Sequence, residues 1–337
     1  NSTLDPVTND DDIRVGGASY DRNQYVWVAN SFSQAPLKIL TPDGLWYETG
    51  ISPGFNGSIL NSITIDYNDL KWISSLSGGL AVFDHNRTET DFSDDQVKIL
   101  TASSANLPSN TVYCARMDLD NEVWIGTSEG LAVIYNGGEI FNNDATIEAS
   151  RILIQKENDV EILLGTNSII DIEIDGANRK WIVVEQSGLL CLSPDGSEEI
   201  YNFNMENSPL VSNNIFDIEI DYKTGEVFIA TDKGLMSFRS DASQGDDEFS
   251  DVKVFPNPVR PEYTGVVTVS GLGYDSDVNI TDVSGNLVYQ TTSRGGTVTW
   301  DCNTLSGERV TSGVYLFWSA QNVAKGGRKV AKVMIVN

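Results

Sequence analysis

The sequence has only one histidine and three cysteines, which excludes most chemistry that depends on these residues. A single histidine cannot build a His-rich metal cage or an HExxH zinc motif. His85 lies in a polar turn after an apolar run, so we interpret it as a structural or solvent-facing residue. Cys114, Cys191 and Cys302 lack CxxC spacing, which argues against a zinc site, and their odd number leaves at least one thiol unpaired within the chain. We therefore expect neither a metal nor a cofactor.

Long hydrophobic runs and basic residues are also scarce. No stretch approaches the roughly 20 apolar residues of a membrane helix. Lys and Arg number 22 against 48 Asp and Glu, which gives a formal charge of −26. Residues 251–337 hold 7 acidic and 8 basic residues, so residues 1–250 hold the other 41 acidic and 14 basic residues, a net charge of −27. An acidic body is expected to repel nucleic acid, although acidity also simply keeps an exported protein in solution.

The length of 337 residues favours about two domains. The chain begins at Asn1, without a methionine or a signal peptide. This start is typical of a processed form or of the latter part of a longer protein.

A repeated unit is the strongest feature of the first 240 residues. An aromatic residue recurs at steps of 45, 52, 57 and 47 residues, and an Asp precedes it by six residues, or by seven in the last unit. In four of the five units Gly-Leu follows the aromatic by six or seven residues. Such self-similarity is the signature of a repeat architecture. The five aromatic residues are Trp27, Trp72, Trp124, Trp181 and Phe228.

Each unit predicts one blade of a β-propeller. An alternating strand leads to the Asp, which starts a tight turn, and a second strand then carries the aromatic. A glycine turn and a third strand follow, and a more variable fourth strand, such as residues 97–100, completes the blade. Residues 1–240 are therefore predicted to form five propeller blades. The repeat count leaves open whether they close a ring alone or belong to a larger one.

The repeated aromatic is interpreted as a wedge between blades rather than a ligand platform. A buried Trp removes roughly 200 Å² from water, enough to hold two blades together. The turn Asp is interpreted as structural too. Asp118, Asp120 and Asn121 could in principle offer oxygens to Ca²⁺, but they lack the EF-hand pattern. No basic or aromatic loop cluster in the sequence indicates a ligand at the channel mouth.

A second unit follows a polar segment at residues 241–250, which has the composition of a linker. Seven short strands in residues 251–337 predict an immunoglobulin-like β-sandwich, with a hairpin turn at residues 282–286. Its basic end contains Lys325, Arg328, Lys329 and Lys332. These residues either guard an edge strand against aggregation or form a docking surface.

Both units resemble known families. The Asp-turn-Trp-Ile-Gly-Thr-x-x-Gly-Leu unit resembles the two-component-regulator propeller repeat. The second unit resembles the C-terminal sorting domain of the type IX secretion system of Bacteroidetes. Connecting phrases at residues 177–181, 207–213 and 255–261 are similar to the C-terminal half of PorZ-like surface components of that system. The sorting-domain motif residues are Pro256, Asn257, Pro258, Gly285, Gly313, Tyr315 and Lys332.

The resemblance implies a non-enzymatic protein that crosses the outer membrane and resides on the cell surface. Its implied partners are a PorU-type sortase, the outer-membrane proteins PorV and PorQ, and anionic lipopolysaccharide, with no nucleic acid. The family implies binding of that glycolipid and its presentation to the sortase, which removes sorting domains from cargo. The net charge of −27 opposes such binding, so any glycolipid site must be locally less acidic.

Three alternatives remain open from the sequence. The same repeats occur in extracellular sensor propellers of two-component systems, which would need a membrane helix and a kinase. Plentiful Asp and Glu allow a carboxylate-based glycan-active enzyme, although no pair can be nominated. The chain could also be a secreted cargo protein that carries the sorting domain.

Overall fold

The computed structural model describes residues 4–6, 12–52, 55–88, 91–142, 146–156, 159–246, 248–321 and 328–337. Antiparallel β-sheets make up nearly all of the regular structure, which confirms the predicted all-β class. Two short helical turns interrupt them, an α-helix at Ala102–Ala105 and a 3₁₀ turn at Gly137–Glu139. Within the described part of the chain, no helix is long and apolar enough to cross a bilayer.

The first two blades are four-stranded antiparallel sheets in simple up-and-down order, as predicted. Blade 1 consists of β1 Val15–Tyr20, β2 Val26–Asn30, β3 Leu37–Leu40 and β4 Trp46–Thr49. Blade 2 consists of β5 Leu60–Ile65, β6 Lys71–Ser75, β7 Gly79–Asp84 and β8 Gln96–Leu100.

Blade 3 departs from the prediction of four strands. Among the described residues it has three, β9 Val112–Met117, β10 Val123–Thr127 and β11 Gly130–Ile134, and there its outer edge carries a bridge between Val133 and Ser150. A separate hairpin follows, formed by β12 Leu153–Lys156 and β13 Asp159–Ile162. This inserted hairpin accounts for the longest step between repeated aromatics.

Blade 4 again has four strands, whereas blade 5 has three among the described residues. Blade 4 consists of β14 Ile169–Ile174, β15 Lys180–Val184, β16 Gly188–Leu192 and β17 Glu199–Phe203. Blade 5 consists of β18 Ile215–Asp221, β19 Glu226–Thr231 and β20 Gly234–Arg239.

The blades pack in chain order around a central channel. The innermost strands β1, β5, β9, β14 and β18 contact one another in succession. Apolar clusters fill each space between successive blades, for example Trp27 with Ile73 and Trp181 with Ile229. Among the residues that the structure describes, no strand of blade 1 makes more than marginal contact with a strand of blade 5. The five blades therefore form an arc.

The second unit is a sandwich of two antiparallel sheets, as predicted. One sheet has the order β21-β22-β25 and the other β24-β23-β26-β27, where the strands are β21 Lys253–Phe255, β22 Val267–Ser270, β23 Asp277–Asp282, β24 Leu287–Thr292, β25 Thr297–Trp300, β26 Gly313–Ala320 and β27 Arg328–Ile335. Alternate residues of both sheets face one core, which includes Val269, Trp300 and Phe317.

The three cysteines are buried and unpaired. Burial raises the pKa of each thiol, so they remain protonated at neutral pH. They act as small apolar residues.

Candidate functional site

Four of the repeated aromatics are enclosed between blades and bonded to their own turn. One oxygen of each turn Asp accepts the backbone N–H groups two and four residues later, and the other accepts the indole N–H. The six-residue spacing therefore closes a bond between turn and strand. Trp27, Trp72, Trp124 and Trp181 are at most 2% exposed, so they offer no surface to a ligand. The distances between indole nitrogen and carboxylate oxygen are 2.9 Å for Trp27–Asp21, 2.7 Å for Trp72–Asp66, 3.2 Å for Trp124–Asp118 and 3.0 Å for Trp181–Asp175.

The fifth aromatic differs. Phe228 is only partly buried and has no N–H group to bond the turn Asp221, which is exposed. Asp221 instead accepts the hydroxyl of Thr224 at 2.7 Å.

Two buried lysines that the sequence analysis missed stack on the tryptophan of the preceding blade. The Lys71 ammonium lies 4.3 Å from the ring centre of Trp27, and that of Lys180 lies 4.8 Å from the ring centre of Trp124. Lys180 also donates to Asp118 at 2.8 Å, with both side chains fully buried. Burial lowers the pKa of both lysines. Each directly precedes the repeated Trp of its own blade, and this shared position could have identified both lysines from the sequence.

The most compact acidic group does not fit a metal. One ligand atom each from Asp21, Asp69 and His85 lies within 4.8 Å of the others. The ammonium of Lys71 already occupies this space, at 2.8 Å from His85 Nδ1 and 3.1 Å from Asp69 Oδ1. An internal cation makes a second one unfavourable, so His85 has a structural position in the interface between blades 1 and 2.

The carboxylates of the possible calcium site, Asp118 and Asp120, already accept hydrogen bonds within the protein. Asp118 holds two backbone amides, the indole of Trp124 and Lys180, while Asp120 accepts the amide of Asn178 at 2.8 Å. These oxygens are already hydrogen-bonded within the protein, so the arrangement favours a structural role.

The five innermost strands surround a cavity of about 630 Å³ at one mouth of the channel. Its wall contains a polar network around Arg116 of β9. Arg116 donates to Glu173 of β14 at 2.8 Å and to Thr64 of β5 at 2.7 Å. Glu173 also accepts the hydroxyl of Tyr222 at 3.2 Å. The network therefore connects blades 2, 3, 4 and 5.

Two carboxyls close to Arg116 have raised pKa values. Burial, together with Glu173 and Asp217, raises the pKa of Asp171 to about 7 despite the attraction of Arg116. Burial and the neighbouring Glu173 raise the pKa of Glu219 as well. Both shifts come mainly from burial, and the neighbouring carboxylates add to them.

Three tyrosines line the same cavity, and the sequence analysis missed them. Tyr67 and Tyr222 each follow the turn Asp of their blade, whereas Tyr274 comes from the second unit. They are 51%, 39% and 42% exposed, respectively. The repeat could have identified two of these tyrosines, because the residue after the turn Asp also lines the cavity in blades 3 and 4, as Leu119 and Gly176. Tyr274 could not be placed there without the arrangement of the two units.

The segment between the two units is packed rather than structureless. Ala242, Ser243 and Phe249 are 1%, 5% and 1% exposed. The Asp241 carboxylate accepts from Arg179 of the propeller at 2.8 Å and also binds Arg294 of the sandwich. One side chain thus joins both units.

Two glycines allow the backbones to meet at this junction. The backbone N–H of Gly296 donates to Ser243 O at 2.7 Å. A Cβ atom at Gly176 would lie 2.1 Å from Ser243 O, and one at Gly295 would lie 1.9 Å from the same atom. Only glycine permits this approach.

The Pro-Asn-Pro motif contacts the outer edge of the last strand. The Asn257 side chain donates to Lys332 O at 3.0 Å and accepts the N–H of Met334 at 3.1 Å. Val259 continues this pairing as a parallel bridge to Ile335. Pro256 and Pro258 flank the amide, each after a cis peptide bond. The motif therefore covers the edge of β27.

The remaining motif residues have distinct surroundings. Gly285 has φ +87° in the turn after β23, where the Asp282 carboxylate accepts two backbone amides. Tyr315 is buried and donates to Thr311 O at 2.8 Å, similar to the tyrosine corner of immunoglobulin-like domains. Gly313 begins β26 without steric need for glycine, and Lys332 is exposed on β27. Lys325 lies outside the described residues.

Comparison with known proteins agrees with this two-part architecture. Residues 253–337 match the model of a secretion system C-terminal sorting domain. The chain aligns over 100% of its length with PorZ of Porphyromonas gingivalis, an essential surface component of the type IX secretion system, at 29% identity and a TM-score of 0.66. The chain is similar to PorZ throughout. It spans only 46% of the PorZ chain.

A second structure shares the fold alone. The extracellular domain of a hybrid two-component system from B. thetaiotaomicron covers 99% of this chain at 14% identity with a TM-score of 0.50, and this chain spans 45% of that domain. No curated protein matches the sequence. The similarity to PorZ and the sorting domain together support a type IX secretion component.

The PorZ-like sandwich exposes an apolar face where an outer sheet surface is normally polar. Trp318, Val330 and Met334 are 45%, 47% and 50% exposed, and Trp318 is paired directly with Val330. Side chains alternate along a strand, so Arg328 and Lys332 share this face with Val330 and Met334. The face is therefore both apolar and basic.

Proposed function

We propose that this chain is part of a non-enzymatic surface component of the type IX attachment complex, exported to the outer face of the outer membrane. It acts there with a PorU-type sortase and the PorV and PorQ proteins, which process cargo and join it to anionic lipopolysaccharide. The similarity to PorZ supports this setting, and the buried junction between the two units is the observation that carries the proposal.

A cargo protein must present an accessible connection to the sortase that removes its sorting domain. Here Ala242 and Ser243 at the start of the connection are buried, and Asp241 beside them is bonded to Arg179 and Arg294, whereas Gln244, Glu248 and Ser250 are exposed. Cleavage at Ala242 or Ser243 would require local unfolding of the junction. A retained sorting domain fits a component of the machinery better than it fits a cargo.

The glycolipid contact is assigned to the face of β26 and β27. Lipopolysaccharide is an anionic amphiphile, and a surface that alternates basic and apolar side chains matches both of its parts. The acidic channel of the propeller does not match an anionic amphiphile. This assignment resolves the tension between glycolipid binding and the strongly negative propeller, because the contact lies on the near-neutral unit.

Deletion of the gene that encodes this chain tests the setting. We expect cargo to retain its sorting domain and to be lost from the cell surface, as measured by immunoblotting of cell and medium fractions. Cargo that is still cleaved and attached would contradict the proposal and would mean that the chain is itself cargo.

Charge reversal on β27 tests the glycolipid face. Arg328→Glu with Lys332→Glu should weaken binding of the full-length protein to immobilised lipopolysaccharide about tenfold, and less at high salt. Lys329→Glu is the matched control, because it changes the same strand on its other side. Equal losses in both variants would show a general charge effect rather than this face.

A further inference from the structure

We propose that the channel mouth binds an amino sugar, a pyranose that carries a protonated amine. This site lies on the propeller and is separate from the basic face of β26 and β27. It therefore goes beyond the attachment function proposed above, and either proposal can fail without the other.

The aromatic residues of the cavity suit a sugar ring. Tyr67, Tyr222 and Tyr274 reach one cavity from blade 2, blade 5 and the sandwich, and each keeps two fifths to one half of its surface exposed. Tyrosine offers a rigid apolar face with a polar tip, which can cover the C–H face of a pyranose at low entropic cost. Core residues of a propeller would be fully buried, as the repeated tryptophans are.

The charge of the cavity selects an amine. Among the described residues that line it, Arg116 is the single basic residue, and its guanidinium is already held by Glu173 and Thr64. The acidic lining residues are Asp66, Glu173, Asp175 and Glu219. Asp175 is paired with Arg179 at 2.7 Å and Glu173 with Arg116 at 2.8 Å, which leaves Asp66 and Glu219 without an ion pair among the described residues. A phosphate, sulfate or carboxylate would be repelled, whereas an ammonium group would be attracted both to the carboxylates and to the tyrosine faces.

Glu219 is the residue assigned to the ammonium group. Both oxygens of Glu173 are already used, by Arg116 and by the Tyr222 hydroxyl. No hydrogen bond of the Glu219 carboxylate is found among the described residues, and this side chain is exposed to the cavity. It can therefore accept a charge-assisted bond without breaking an existing one.

The remaining lining groups and the volume agree with one or two sugar rings. The Gln244 amide and the hydroxyls of Tyr67 and Tyr274 can donate to and accept from sugar hydroxyls. A cavity of about 630 Å³ lies within the range of small-molecule sites. Tyr274 and Gln244 lie beyond the fifth blade in the sequence, so the site is complete only when both units are in place.

Calorimetry of the purified full-length protein with four tetrasaccharides tests the proposal. The probes are fully deacetylated chitotetraose, N-acetylated chitotetraose, cellotetraose and tetragalacturonate. We expect the deacetylated tetramer to bind most tightly, the two uncharged tetramers about tenfold more weakly, and the anionic tetramer not at all. Equal binding of all four, preference for the anion, or no binding of the amine would each overturn the proposal.

Two variants locate the binding. Glu219→Gln should weaken binding of the deacetylated tetramer about tenfold and leave binding of cellotetraose unchanged, because only the charge is removed. Tyr274→Leu should weaken binding of both tetramers. The matched controls are Glu185→Gln and Tyr135→Leu, which alter exposed residues of the same types away from the cavity. An effect of the control variants equal to that of the cavity variants would contradict this location.

Discussion

Interior and terminal blades have the same repeat but different surroundings. In blades 1 to 4 the repeated Trp packs against the next blade, at the residue that directly precedes the next repeated aromatic. For blades 1 to 4 in order, these residues are Lys71, Val123, Lys180 and Val227. Blade 5 has no such cover among the described residues. Its Phe216 and Leu235 are 57% and 70% exposed, and Tyr20 of blade 1 is 75% exposed.

The difference shows that one blade does not bury its own aromatic. Each apolar cluster draws residues from two neighbouring sheets, so the stabilising unit is the interface between blades. The repeated motif specifies the local turn and strand, while the neighbour supplies the burial. A terminal blade therefore keeps the motif but loses much of its energetic effect.

The largest expected effect is the loss of an interior wedge. Trp124→Ala should lower the free energy of unfolding by about 3–5 kcal/mol, because it removes a fully buried side chain and leaves a cavity. Urea unfolding followed by circular dichroism measures this change. Phe228→Ala in the partly buried terminal position should cost about 1 kcal/mol. Equal effects at the two positions would contradict the comparison.

A smaller effect is expected at the buried ion pair. Lys180→Met keeps the aliphatic stem but leaves Asp118 charged and buried, so the free energy of unfolding should fall by about 3 kcal/mol. Adding Asp118→Asn should recover part of this loss, because the uncompensated charge disappears. An additive loss in the double variant, measured by the same urea unfolding, would show that the pair is not coupled.

Backbone contact at the junction can be tested with a single methyl group. Gly176→Ala places a Cβ atom against Ser243 O. The free energy of unfolding should therefore fall by about 2 kcal/mol, and the chain should become cleavable near residues 241–250. Limited proteolysis with mass spectrometry identifies the cut. Gly138→Ala is the control, because its Cβ would have only one neighbour, at 3.8 Å. Resistance of the Gly176 variant would argue that the junction does not protect the connection.

The smallest expected effect is at the rim of blade 2. Burial and the neighbouring Asp94, Asp84 and Asp91 raise the pKa of Asp95 to about 6. Its ionised form is therefore disfavoured in the folded protein, and stability should fall as the pH rises from about 4 to 6. Asp95→Asn should stabilise the protein by about 1 kcal/mol at pH 7, with solvent screening limiting the gain, and should have little effect at pH 4. Thermal unfolding at both pH values, with Glu185→Gln as the control, measures this.

Local features could be predicted from the sequence, whereas features made by distant segments could not. The Asp-to-Trp spacing and the Gly-Leu turns identified five blades, because each acts within a few residues. The strands of the sandwich were visible for the same reason. The described residues of blades 3 and 5 form three strands rather than four, and this difference escaped prediction because the outermost strand has no repeated residue.

The candidate site was harder for a physical reason. Tyr67 and Tyr274 are 207 positions apart, and only the packing of the blades and of the junction brings them together. The junction itself was interpreted as a linker from its polar composition. Its burial depends on Gly176 and Gly295, which let two backbones approach Ser243 closely. The need for glycine at these positions can be recognised only when the three-dimensional packing is known.

The bonds between Asn257 and β27 join the two ends of the segment that matches the sorting domain. Asn257 is translated early in this segment, and its partners, the backbones of Lys332 and Met334, follow 75 and 77 positions later. A chain that stops before β27 would present the Pro-Asn-Pro motif without the strand that orders it. The surroundings of the motif are therefore complete only after β27 has been made, so this segment cannot finish folding before its last strand is present.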